Sequence, residues 1–109
     1  MQKRNVQIFR AGIFTLQNGA ILPNLEVAYE TYGSAANAEE STILLLQGYT
    51  SNPHAAGSGD LDPGWWENLI GPGRAIDTDR YYVVSPNMLG SAYGTTGPVS
   101  KNPDTDKPY

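Results

Sequence analysis

Thr42-Ile43-Leu44-Leu45-Leu46-Gln47-Gly48-Tyr49-Thr50-Ser51-Asn52-Pro53-His54-Ala55-Ala56-Gly57 is the stretch whose reading decides the fold. The apolar run from Ile43 to Leu46 does not alternate with polar residues, so a half-exposed antiparallel strand is excluded. Such a run suits a strand covered on both faces, as in the parallel centre of an α/β sheet. It breaks at Gln47-Gly48. In sheets of this kind the ligand lies just beyond the carboxyl ends of the strands. The loop Gly48-Tyr49-Thr50-Ser51-Asn52 is therefore where chemistry is expected.

Upstream, residues up to about Ala11 read as an extended lead-in, and Ile13 to Leu16 as a short strand. Asn18-Gly19 predicts a hairpin with a type I′ turn, whose two central residues need positive φ. On the return strand Leu25, Val27, Tyr29 and Thr31 alternate with Glu26, Ala28, Glu30 and Tyr32, which gives one face to a core and one to water. Gly33 ends it, and Ala35 to Ser41 reads as a connecting loop. Downstream, Gly57 to Gly64 is loop-like. Trp65 to Ile70 predicts one or two helical turns, stopped by Gly71-Pro72-Gly73. Arg74 to Thr78 adds a further turn. Arg80 to Val84 predicts a second strand, ended by Pro86, far enough from Leu46 for a right-handed crossover between parallel strands. Beyond Asn87 the chain is rich in Gly, Ser, Thr and Pro and carries no period.

The 109 residues suffice for one small domain. A net charge of −4 without a run of Lys or Arg argues against nucleic acid and anionic membrane surfaces as partners. With no cysteine, a disulfide framework, a thiolate metal site and a cysteine nucleophile are excluded. Met1 to Val6 is basic but lacks the apolar region of a signal peptide, so a cytoplasmic location is expected. The fold class is α/β, but two parallel strands need helices on both faces, and this chain supplies about one. Residues 1–109 are thus expected to be an N-terminal fragment of a single domain whose remaining elements follow Tyr109; the alternative is a small complete domain with a disordered tail.

Nothing in the chain makes a nucleophile–base pair. Ser91, in Gly90-Ser91-Ala92-Tyr93-Gly94, comes nearest to Gly-x-Ser-x-Gly, but its glycines are misplaced and no strand precedes it directly. His54 reads as a packing or hydrogen-bonding residue before a general base, and it has no second His or Cys with which to share zinc. Asp60, Asp62, Asp77 and Asp79 fit turns and caps, not a calcium loop. Gly71-Pro72-Gly73 and Gly94-Thr95-Thr96-Gly97 match no phosphate-binding pattern. Trp65, Trp66, Tyr81 and Tyr82 read as packing aromatics. Counting the hairpin as two strands, Thr42 to Leu46 is the third. The loop after the third strand supplies one of the two backbone donors of an α/β-hydrolase oxyanion hole. Gly48-Tyr49 stands at that place, with an ordinary loop as the alternative reading.

The block from Pro63-Gly64-Trp65-Trp66 through Gly71-Pro72-Gly73 and Asp77-Thr78-Asp79-Arg80 to Val84 resembles the homoserine O-acetyltransferase family. The similarity continues through Asn87 to Gly90, Gly94 to Pro98, Ser100, Asn102-Pro103 and Pro108-Tyr109, and Leu25 to Gly33 looks like that family's second strand. The resemblance implies an α/β-hydrolase fold and acyl transfer from acetyl-CoA or another acyl-CoA to homoserine, by way of an acyl-serine, in methionine biosynthesis. It implies no bound cofactor, small-molecule substrates, a Ser–Asp–His triad beyond Tyr109, and room for a homodimer in the full-length form. The oxyanion donor it implies is the backbone N–H of Tyr49. Where the family tends to read His-Ala-Leu-Thr-Gly, this chain has Gln47-Gly48-Tyr49-Thr50-Ser51: Thr50 and His54 fit, while Gln47, Gly48, Tyr49 and Ser51 depart. A backbone donor survives a change of side chain, but the departure opens two alternatives, a divergent esterase and an inactive truncated module.

Overall fold

In the computed structural model, residues 6–48, 50–57 and 61–109 are described. The strands are β1 (Gln7–Thr15), β2 (Ile21–Tyr32), β3 (Thr42–Leu44), β4 (Ile70–Gly71), β5 (Ile76–Asp77), β6 (Tyr82–Pro86), β7 (Lys101–Asn102) and β8 (Lys107–Pro108).

Asn18-Gly19 turns the chain as expected, but by a different turn. The Leu16 carbonyl accepts from Gly19 N–H at 2.9 Å, and Leu16 N–H donates to Ala20 O at 2.7 Å. Only Gly19 has positive φ, 88°. This is a three-residue loop with glycine in the left-handed position, not a two-residue type I′ turn. The lead-in is itself strand: β1 starts at Gln7, opposite Tyr29, and is kinked by register shifts on both sides of Gly12.

The main sheet has the order β1-β2-β6-β3. β2 pairs antiparallel with β1 and β6, whereas β3 and β6 run parallel, with Ile43 beside Val83. The sheet is mixed, and the two strands read as parallel neighbours are so. One expectation fails in part. Ile43 and Leu45 face the core, but Leu44 and Leu46 are 62% and 80% exposed. β3 stands at the sheet edge, and no described element of this chain covers its second face.

Trp65 to Leu69 forms turns, not helix. The N–H groups of Trp65 and Trp66, free at a helix start, donate instead to the His54 and Ala55 carbonyls at 3.2 and 2.8 Å. Gly64 makes this approach possible, because a Cβ there would collide with the backbone of Ala55 and Ala56. A 3₁₀ turn at Ala35–Asn37, capped by Ser34, lies inside the stretch read as a loop. β4 and β5 form a small parallel pair, and β7 and β8 a hairpin in the segment without a period. Leu45, Ala55, Ala56, Ile70 and Val83 form the core, with Tyr32, Ile43, Trp65, Ile76 and Tyr81 packed on it. No helix among the described residues is long and apolar enough to cross a membrane.

Candidate active site

The parallel pair β3 and β6 aims two loops at the same side of the sheet: residues 45–52 after β3 and residues 87–93 after β6. Between them lies a cavity of about 300 Å³ lined by Thr50 from the first loop and by Met88 to Tyr93 from the second. This is the position that the strand-end rule assigns to a ligand. Three buried polar atoms near these strand ends, the Gln47 Oε1 and Asn87 Oδ1 acceptors and the Ser85 hydroxyl, have no hydrogen-bond partner among the described residues. Larger, more polar space of about 560 Å³ lies elsewhere, between the start of β2 and the β7–β8 hairpin.

The far root of the first loop is held by β2. Ala28, Glu30 and Tyr32 share a face of that strand, and Ala28 and Glu30 are buried. Both oxygens of Glu30 lie 3.0 Å from His54 Nδ1. On its other side the ring meets Asp62: Nε2 is 3.0 Å from the carbonyl oxygen and 3.3 Å from Oδ2. Two residues on, the Tyr32 hydroxyl accepts from Ala55 N–H at 2.8 Å and Ala56 N–H at 3.2 Å and donates to Pro53 O at 3.1 Å. Burial pushes the Tyr32 hydroxyl up to about 12; the charge of Glu30 adds to the rise, and the amides of Ala56 and Ala55 oppose it. It stays a neutral donor. Asn52 completes the root: its Oδ1 accepts from His54 N–H at 2.8 Å and its carbonyl from Trp65 Nε1 at 2.8 Å. Glu67 Oε1 ties both ends of the next loop, accepting from Gly57 N–H and Gly64 N–H at 2.7 and 2.8 Å.

Tyr49, the expected oxyanion donor, lies outside the described residues, as do Met1 to Asn5 and Ser58 to Asp60. Its neighbours form a turn in which Ser51 N–H donates to Gly48 O at 3.0 Å and Gln47 Nε2 to Ser51 O at 3.2 Å. Ser91 borders the cavity, but its Oγ accepts from Asn87 Nδ2 at 3.1 Å. His54 is no base for it, since both ring nitrogens are engaged by Glu30 and Asp62. Asp77 is a turn residue. The amides of Gly73 and Asp79 donate to its carboxylate and lower its pKa. No group of three or more His, Cys, Asp or Glu suited to a metal occurs among the described residues. Gly94-Thr95-Thr96-Gly97 stitches the sheet. Thr95 Oγ1 accepts from Ala28 N–H and donates to Asn87 O, both at 2.9 Å, and Thr96 exchanges bonds with the Glu26 backbone. The aromatic pairs pack: Trp65 meets Trp66 edge-on at 4.9 Å, and Arg80 sits over the Tyr81 ring.

Sequence reasoning did not single out Glu30, Tyr32 or Glu67. A signal for the first two existed. A carboxylate and a phenol alternate with Ala28 on a strand whose other face is also half apolar, and a buried carboxylate requires a partner.

No family model matches the chain. A homoserine O-acetyltransferase of Moorella thermoacetica is 55% identical over 97 residues, which is 86% of this chain and 26% of that protein. Other relatives are named for O-succinyl transfer to homoserine or serine. Among solved structures, a homoserine O-acetyltransferase from Bacillus anthracis superposes with a TM-score of 0.88 at 36% identity, covering 100% of this chain and 31% of the other. Esterase E22 superposes at 0.85 with 40% identity, covering 96% of this chain and 31% of its own. The chain spans about a quarter of the length of the curated relatives it matches. These 109 residues are thus homologous to one part of the homoserine O-acetyltransferase family and carry the N-terminal part of an α/β-hydrolase fold.

Proposed function

We propose that residues 1–109 are the N-terminal fragment of a single α/β-hydrolase domain in an acyl-CoA-dependent O-acyltransferase, with homoserine or a similar hydroxyl amino acid as acceptor. The observation that carries this reading is the parallel β3–β6 pair with its two loops around one cavity at the carboxyl ends. The 55% identity to a homoserine O-acetyltransferase supports it. A serine hydroxyl supplied by the rest of the domain attacks the thioester carbonyl of the acyl-CoA. The carbonyl oxygen becomes the oxyanion of a tetrahedral intermediate, which collapses as the C–S bond breaks and coenzyme A leaves with a proton. The acceptor hydroxyl then takes the acyl group from the serine. The part of this chain is electrostatic. The loop after β3 aims a backbone amide, that of Tyr49 by resemblance, at the oxyanion, and losing one such donor costs about 3–4 kcal/mol of transition-state stabilisation. Acyl-CoA is a co-substrate and no cofactor stays bound. A homodimeric full-length form and a cytoplasmic location belong to the same proposal.

The esterase reading is favoured by one observation, the 40% identity to esterase E22. The two separate in one assay on the full-length gene product. Acetyl-CoA and succinyl-CoA are offered with and without homoserine and serine, and p-nitrophenyl acetate is tested alongside. Coenzyme A release that depends on the amino acid supports transfer. Ester hydrolysis indifferent to the amino acid overturns transfer in favour of the esterase.

A further inference from the structure

We infer that His54 is a positioning residue. Held between Glu30 of β2 and Asp62, and flanked by the Tyr32 hydroxyl, it fixes the far root of the loop after β3 and thereby sets where the amides of that loop point. The role of the loop rests on the function proposed above; the clamp itself does not.

The proton inventory follows from the partners. The Asp62 carbonyl can only accept, so Nε2 carries a hydrogen. Nδ1 faces both Glu30 oxygens at 3.0 Å, so one further proton lies between ring and carboxyl. The pair is imidazolium with carboxylate, or imidazole with carboxylic acid, and both are neutral overall. In either form the two bonds are made, and the ring has no lone pair to offer a nucleophile. Its burial fits this, with His54 4% and Glu30 2% exposed. A histidine so placed is an anchor.

What it anchors is equally specific. The near root of the loop is tied to the sheet, where Leu45 N–H donates to Val84 O at 2.9 Å. The far root, Pro53 to Ala56, meets three groups from β2 and the neighbouring loop: Tyr32, Glu30 through His54, and Asp62 through His54. Gly57 is part of the fit, because a Cβ there would run into the Asp62 carbonyl and the His54 ring. The residues between are thus slung between two fixed ends. An oxyanion donor works only if prepositioned, and here the preposition comes from a strand two places across the sheet.

The test uses the full-length protein with His54→Ala, Glu30→Gln and Tyr32→Phe, read by steady-state kinetics and by amide hydrogen exchange over residues 47–56. His54→Ala is expected to lower kcat about 100-fold, because a misaimed donor is felt in the transition state. KM should shift less than about twofold, since ground-state binding is untouched. Glu30→Gln is the rescue: its amide donates to Nδ1 while Nε2–H still donates to Asp62, so kcat should fall less than about tenfold. Exchange across residues 47–52 should quicken in His54→Ala and not in Glu30→Gln. If His54→Ala fails to fold, Tyr32→Phe carries the same expectation in milder form, with faster exchange at Ala55 and Ala56. A folded His54→Ala protein with unchanged kcat and unchanged exchange overturns the inference, as does a rise in KM alone or an equal fall in Glu30→Gln. If the unmutated protein neither transfers acyl groups nor cleaves esters, the proposed function fails by itself. Hydrogen exchange then still decides the clamp: faster exchange in the variants sustains it and unchanged exchange refutes it.

Discussion

The two ends of the stretch 42–57 are held by opposite means. At its start, Thr42 to Leu45 joins the sheet by parallel backbone bonds to β6 and by apolar burial of one face, leaving Leu44 and Leu46 bare. At its end, His54 to Ala56 is held by buried and half-buried polar groups that each meet a polar partner. Apolar contact is non-directional and tolerates a half-covered strand. A buried polar network has no such tolerance, because each group that loses its partner bears its full desolvation cost. The first root of the loop is therefore held by contacts that tolerate substitution, and the second by contacts that do not.

This contrast can be broken by mutation. The largest effect is expected from Glu30→Ala, which leaves the His54 ring with an unanswered nitrogen and a buried proton to lose; removing one partner of such a pair costs about 3–5 kcal/mol. Chemical denaturation checks it, and a loss below about 1 kcal/mol would mean that the far root is not locked. Gly64→Ala comes next. Its Cβ would meet backbone of Ala55 and Ala56 that cannot swing aside, so a loss of about 1–3 kcal/mol is expected, with a shifted near-ultraviolet signal from Trp65 and Trp66.

Tyr32→Phe removes a hydroxyl that serves two amides and a carbonyl, and about 1–3 kcal/mol should go with it. Its pH signature sharpens the comparison. The folded value is raised to about 12 from 10.0, so the native state holds this proton longer than the unfolded chain. The contribution is complete below the unfolded value and is lost as pH rises from about 10 through about 12. Denaturation midpoints of wild type and Tyr32→Phe should converge over that window and stay parallel at neutral pH. The smallest effect belongs to the other root: Leu46→Lys, at a position 80% exposed, should change stability by less than about 0.5 kcal/mol. In the isolated 109-residue chain it should reduce light scattering, since a charge just beyond the apolar edge strand β3 opposes edge-to-edge association.

Much of the sheet was legible because its signals are local. A non-alternating run marks β3, Asn18-Gly19 marks the hairpin, and the length between Leu46 and Tyr81 allows a parallel return. Trp65 to Ile70 misled because a helix was read from composition and stop signals. The backbone donors of Trp65 and Trp66 are taken by His54 and Ala55, a long-range contact that Gly64 permits. The 3₁₀ turn at Ala35–Asn37 and the β7–β8 hairpin are short elements without a period, so no pattern announced them.

The sequence by itself determined the parallel pair, the side of the sheet on which its loops lie and the family resemblance. The spacing of apolar residues is enough for the first two, and the residue blocks from Pro63 to Val84 and Leu25 to Gly33 carry the third. Only the tertiary structure decided which face of β2 is buried, because a strand of period two displays two faces and does not say which one meets the core. Ala28 and Glu30 are buried on the face that carries Tyr32, while on the other face only Leu25 is buried. That choice turned His54 from a lone loop histidine into a clamped one. Its partners lie 24 residues before it and 8 after it, and only folding brings their charges and dipoles into a single low-dielectric space.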